Sequence, residues 1–207
     1  MSLSRNAPKK ILLMANTGWY FFNFRLGLMQ RLQSEGFDVF FLSPLDKYSE
    51  KLKAQGFQHL EFSISRAGMN PFSEFIGFLR LAQVIRIVKP DILHNHTVKF
   101  TLYGTMAGRL LGIQMIVNSI TGLGHVFLSE KIKMRLARKV IMVLYRVFGA
   151  NRTKFIFQNI SDKNIFENFG IKHTLLIEGS GVNTDRFKPS QIDSAIVKVL
   201  FASRLLK

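Results

Sequence analysis

KILLMANTG, residues 10–18, is the stretch on which the fold turns. Ile11 to Ala15 are apolar without a break, and the run stops at Asn16, Thr17 and Gly18. A short run that is apolar on both faces and closed by turn-forming residues predicts a strand buried on both sides. Such strands belong to parallel sheets, whose crossover connections are a dozen or more residues long and usually helical.

The same rhythm extends along the chain. Helical spacing over 24–35 (Leu28, Leu32) ends at Gly36, a C-cap signal. A strand over 38–42 stops at Ser43-Pro44, a short helix over 47–55 stops at Gly56, and 59–64 reads as a third strand. The spacing predicts a longer helix over 71–88, with Pro71 in its first turn and Pro90 just beyond its end. Strands follow over 91–94, 114–119, 154–158 and 174–177, and helices over 101–111, 130–148 and 162–169. The expected fold class is α/β, a Rossmann-like parallel sheet with helices on both faces. Residues 179–190 are loop-like, and 196–202 begin a fresh apolar strand. That strand is expected to open a second domain, which divides the chain into 1–190 and 191–207; the alternative is that it joins an edge of the one sheet.

Composition narrows the function. The 207 residues are 47% hydrophobic, enough for a packed core. The absence of cysteine excludes a disulfide scaffold, a thiol nucleophile and thiolate-ligated metal. The N-terminus lacks a signal-peptide core, and no stretch has the length of a spanning helix, so a cytoplasmic, non-integral protein is expected. Against 13 acidic residues stand 29 basic ones, a net charge of +16 that attracts polyanions. Nucleic acid, anionic lipid and phosphorylated substrates all qualify.

In an open parallel sheet, ligands bind beyond the C-terminal strand ends. The loop Asn16-Thr17-Gly18-Trp19, with Asn23 and Arg25, is either an anion site at a helix N-terminus or an ordinary strand-to-helix turn. It is not GxGxxG, and no acidic residue ends the second strand, which disfavours a dinucleotide site. His94 and His96 alternate onto one face at a strand end, as substrate hydrogen-bonding groups or as structural histidines. With no third histidine or carboxylate close in sequence, no metal is expected. Thr121-Gly122-Leu123-Gly124-His125 allows close approach to a ligand, and His125 is a candidate proton carrier. Glu178 to Asn183, which includes Gly179 and Gly181, with Asp185 and Phe187, would line a cleft or serve as a link. On the predicted helix 130–148, Lys131, Arg135, Arg138, Lys139 and Arg146 share an arc of about 100°. Beside them lies a broad apolar face, the pattern of a helix at a membrane interface or of a core helix with a basic edge.

The order of these motifs resembles the retaining glycosyltransferases of family 4, which have the GT-B fold, and among them bacterial enzymes extending undecaprenyl-diphosphate-linked sugars. Residues 17–25, 89–96, 121–124, 181–187 and 201–205 carry the resemblance, which spans nearly the whole chain. It implies two Rossmann-like domains facing across a cleft, with the acceptor bound by the first and a UDP-sugar by the second. Arg204 matches an arginine that contacts the donor diphosphate, and Gly18 with its neighbours would approach that diphosphate from the other side. His94, His96, Asn118 and His125 become candidates for sugar or acceptor hydroxyls, with His125 as the catalytic candidate, and the basic helix would hold the protein on the anionic inner face of the membrane. The implied partners are a nucleotide sugar and a lipid-linked glycan, with no cofactor beyond the donor and no nucleic acid. Most of the donor site would lie beyond Lys207, so the chain alone is expected to be inactive. The alternative is a non-catalytic basic module for anionic membrane or nucleic acid. No helix-turn-helix, RRM-like or zinc-finger spacing supports the nucleic-acid branch.

Overall fold

The computed structural model describes residues 9–64, 70–123, 127, 131–149, 151–189 and 199–202. The strands are β1 (Lys10–Met14), β2 (Asp38–Ser43), β3 (Gln58–Glu61), β4 (Ile92–His96), β5 (Met115–Ile120), β6 (Thr153–Phe157) and β7 (Thr174–Leu176). They form one sheet in the order β3-β2-β1-β4-β5-β6-β7, and every neighbouring pair is parallel. From β1 the chain reaches β2 through α1 (Gly18–Tyr20), a π-helical turn (Phe21–Arg25) and α2 (Leu26–Ser34). The remaining crossovers carry α3 (Lys47–Lys53), α4 (Pro71–Val88), α5 (Val98–Leu110), α6 (Ile132–Phe148) and α7 (Ile160–Asn168).

Strand order reverses at β1, which pairs with β2 on one side and β4 on the other. Because crossovers keep one hand, the reversal puts α1–α3 on one face and α4–α7 on the opposite face. The apolar clusters follow this division. Ile11 and Leu13 pack with Phe21, Met29 and Leu52, while Leu12, Met14, Leu93 and Ile116 pack with Leu81, Ile85, Phe100 and Ala107. Phe155 and Phe157 meet Met142, Tyr145 and Phe166. Full burial of a phenylalanine contributes about 2–3 kcal/mol, so these rings anchor the later half of the sheet. Coverage is uneven: on the α1–α3 face, Met115, Leu175 and Ile177 are exposed.

The expected parallel sheet is present, with shifted boundaries. The first helical segment begins at Gly18 instead of 24, because Thr17 Oγ accepts the Tyr20 N–H at 3.0 Å and caps it. A run of aromatics there hides the helical period. The third strand spans Gln58–Glu61, shorter than the expected 59–64, and α5 starts three residues early, at Val98. Of the expected strand over 196–202, Val199, Leu200 and Phe201 are almost fully exposed and unpaired; residues 196–198 lie outside the described residues.

Candidate functional site

The strand-order reversal at β1 and β4 opens the crevice where doubly wound sheets bind ligands. The pleat of β4 sends His94 and His96 to the α1 face and Asn95 to the α5 face. His94 Nε2 lies 2.8 Å from Ser119 Oγ, and the His94 and His96 rings lie against each other, tilted by 36° at 4.2 Å between centroids. Burial, followed by the nearby Arg25 charge, holds His94 down at about 3. Burial, the neighbouring His94 and Arg25 hold His96 well below the usual histidine range. Both rings are therefore neutral at pH 7.

Arg25 comes to this pair through the π-helical turn. At 3.6 residues per turn, side chains five apart diverge by about 140°. The i→i+5 pattern brings them back together. Arg25 thus meets Tyr20: its Nε donates to Tyr20 Oη at 3.1 Å, and the guanidinium lies 5.4 Å from the ring centroid. Burial raises the Tyr20 pKa, with Arg25 partly offsetting it. A cavity of about 180 Å³ opens beside them, lined by Arg25, Leu28, His94, Ser119, Ile120, Thr121, Ile156, Gln158, Ile177 and Gly179. Arg25 is half-buried, and among the described residues no carboxylate pairs with it. A partly desolvated cation without a counter-charge favours an anionic ligand. A larger hollow of about 340 Å³, lined by Arg86, Lys89 and Asp91, lies at the opposite, N-terminal end of the sheet.

Several expected site residues take other roles. Gly18 does not present its N–H to a ligand: Asp46 Oδ2 accepts it at 2.9 Å and the Trp19 N–H at 3.3 Å. The other Asp46 oxygen accepts the N–H groups of Tyr48 and Ser49 at 2.9 and 2.8 Å, so one carboxylate caps α1 and α3 together. A Cβ on Gly18 would fall 2.5 Å from Asp46 Oδ1 and 2.7 Å from Ser49 N, so glycine serves this helix contact. Thr17 is spent as the cap of α1, and Asn23 turns back to Trp19 O at 2.8 Å. Asn118 lies on the α5 face, where its Nδ2 donates to Thr105 Oγ at 2.7 Å and its Oδ1 accepts from Asn95 at 2.8 Å. That network is buried and closed to substrate. His96 is sealed behind Tyr20.

Thr121 and His94 do reach the cavity. Gly122, at φ +150°, is outside its lining, and Gly179 lines it in place of Gly181. Asn183 Oδ1 accepts the N–H groups of Asp185 and Arg186 at 3.0 Å each, closing an exposed turn. Gly124, His125 and Arg204 lie outside the described residues. Sequence reading missed Tyr20, Ser119 and Gln158. Ser119 and Gln158 are polar residues ending apolar strands, the same signal that marked His96. Tyr20 carried no signal, because its partnership with Arg25 depends on the π-helical turn.

Helix α6 buries Met142 and Tyr145 and turns its other side outward. Ile132, Leu136, Val140, Val143 and Val147 are 51–82% exposed and occupy an arc of about 80°. Arg135, Lys139 and Arg146 border that arc and are exposed; Lys131 is exposed farther round the helix, while Arg138, expected with them, is half-buried. Across α5, helix α4 exposes Phe72, Phe75, Ile76 and Leu79. Glu74 holds α4 to α5 through Lys99 Nζ and Tyr103 Oη, both at 2.6 Å. Among the described residues no helix is long and apolar enough to cross a membrane, and no group of three or more histidines or acids is placed to hold a metal.

The family described as glycosyl transferase 4-like matches residues 10–159, from the first strand to the turn after β6. The chain belongs to that family. It is 28% identical over 187 residues to the N,N'-diacetylbacillosaminyl-diphospho-undecaprenol alpha-1,3-N-acetylgalactosaminyltransferase of Campylobacter jejuni, covering 89% of this chain and 50% of that protein. It is also 27% identical over 155 residues to a Shewanella amazonensis enzyme, the UDP-N-acetylglucosamine--N-acetylmuramyl-(pentapeptide) pyrophosphoryl-undecaprenol N-acetylglucosamine transferase. That match covers 69% of this chain and 41% of the enzyme. The chain spans about half the length of these relatives. Among solved structures, a glycosyltransferase from Rickettsia africae superposes with a TM-score of 0.62 at 16% identity, covering 87% of this chain and 45% of the other. Anabaena HepE in complex with UDP-glucose gives 0.58 at 14%, covering 87% and 46%. These likenesses establish the fold, the N-terminal half of a GT-B arrangement.

Proposed function

We propose that this chain forms the acceptor-binding half of a glycosyltransferase that moves a sugar from a UDP-sugar to a lipid-diphosphate-linked glycan, with retained configuration, at the anionic inner face of a cell membrane. The observation that carries the reading is Arg25, a half-buried guanidinium without a carboxylate partner among the described residues, beside a cavity at the sheet's strand-order reversal. Both curated relatives are named for diphospho- or pyrophosphoryl-undecaprenol substrates, which places a diphosphate in their chemistry. Arg25 would neutralise that diphosphate, with Thr121 and Gln158 available to sugar hydroxyls. His94, neutral and bonded to Ser119, would shape the wall without adding charge. The donor half, including an arginine at Arg204, would supply the rest of the diphosphate contacts. The residues His125, Gly124, Gly122, Gly181 and Asn183 remain candidates for contacts with the acceptor or the sugar.

The exposed apolar arc of α6 with its basic border, together with the aromatic face of α4, supports docking on anionic lipid. Vesicle flotation tests both parts. The chain should float with anionic vesicles, and flotation should weaken as salt rises. Undecaprenyl-diphosphate-linked N-acetylglucosamine in the vesicles should tighten binding, and Arg25→Gln should remove that increment, a loss of about tenfold or more. An increment that survives Arg25→Gln would overturn the acceptor site. Flotation indifferent to lipid charge and salt would overturn the membrane reading. The chain assayed alone with UDP-sugar and acceptor should show no transfer.

A further inference from the structure

We infer that Tyr20 and His96 are positioning residues that lock the Arg25 guanidinium in the orientation that receives an anion; this rests on the reading of Arg25 given above. Arginine has only donors, so its Nε–H must donate to Tyr20 Oη. The Tyr20 hydroxyl proton is then free for its second neighbour, His96 Nδ1, at 3.2 Å. That assignment makes His96 Nδ1 an acceptor and puts the imidazole proton on Nε2. Depression of the His96 pKa by burial, His94 and Arg25 keeps Nδ1 free to accept across the physiological range.

The relay runs from the sealed interior to the cavity wall. His96 is fully buried and wedged between the His94 ring at 4.2 Å and the Tyr20 ring at 5.2 Å. It holds Tyr20; Tyr20 holds Arg25 by one hydrogen bond and by its ring face. With Nε engaged, the terminal guanidinium nitrogens are left for a ligand; among the described residues the one hydrogen bond they make is Nη1 to Phe24 O, long at 3.4 Å. A side chain with several rotatable bonds is thereby ordered before a ligand arrives, which lowers the entropy cost of binding. The π-helical turn, which aligns residues 20 and 25, is the backbone feature that permits this.

The test titrates inorganic pyrophosphate into this chain by calorimetry and reads imidazole tautomers by nitrogen-15 NMR. Wild type should bind pyrophosphate, and Arg25→Gln should weaken binding about tenfold or more. Tyr20→Phe, which keeps the ring and removes the hydroxyl, should weaken it about threefold to tenfold while lowering the melting temperature by only a few degrees, because His96 Nδ1 loses its donor. In an Arg25→Lys background, which keeps charge but lacks Nε, Tyr20→Phe should have no further effect. His96 should show a protonated Nε2 and a bare Nδ1 from pH 6 to 8. Equal pyrophosphate binding by wild type and Arg25→Gln, including none by either, overturns the anion-site reading itself. An effect of Arg25→Gln with none of Tyr20→Phe, or a His96 protonated on Nδ1, overturns the positioning role and leaves the anion site standing.

Discussion

His94 and His96 carry a consequence that can be read from pH alone. Both are held neutral below the range in which histidines in an unfolded chain take up protons, near 6.5. Unfolding therefore binds protons in acid, and the stability gained by keeping the rings neutral is complete only above that range. It falls as the pH drops toward the folded value of about 3 for His94. The loss should approach about 1.4 kcal/mol per pH unit for each histidine. Urea unfolding at pH 7, 6 and 5 checks it; stability unchanged over that interval would mean that the rings are not held neutral. The place of these histidines on one face was legible from alternation along the strand. Their burial was not: that of His96 depends on Tyr20 and Phe21 folding over it from the helical segment after β1, far away in sequence. Gly18 shows the opposite difficulty: the sequence leaves an anion site and an ordinary strand-to-helix turn open, and the partner that takes up its N–H, Asp46, lies 28 residues away.

Among elements, the sheet's strands and the long helix α4 were plain in the sequence, since continuous apolar runs and proline punctuation depend only on neighbours. The π-helical turn was hidden, because one extra residue within a run of aromatics leaves no periodic trace. Helix α6 was legible as amphipathic, yet its orientation was not. The sequence marked the basic arc, and the structure shows that Met142 and Tyr145 alone are buried while the apolar arc faces out. That orientation separates membrane docking from folding. Leu136→Glu with Val143→Glu should change stability by no more than about 0.5 kcal/mol per site, because both positions are exposed. The same pair should abolish flotation with anionic vesicles. A large loss of stability measured by urea would show that the arc is packed and would remove the basis for docking.

For the whole molecule, a net charge of +16 and two outward apolar helix faces act together. In the proposed membrane reading, the charge would draw the chain toward an anionic surface over about a Debye length, roughly 8–10 Å at ordinary salt. Contact would then let the apolar arcs settle. The fold class was legible at this scale because parallel sheets require buried strands and long crossovers. The uneven covering of the sheet was not, since it follows from which strands lie beside α1–α3. That bare strip of Met115, Leu175 and Ile177, on the sheet face opposite α4 and α6, adds to their exposed apolar surface and governs how the protein behaves in the test tube. Solvatochromic dyes such as anilinonaphthalene sulfonate should glow against the native state at room temperature. A thermofluor melt would then start bright and blur its own transition, whereas far-ultraviolet circular dichroism would show a cooperative one.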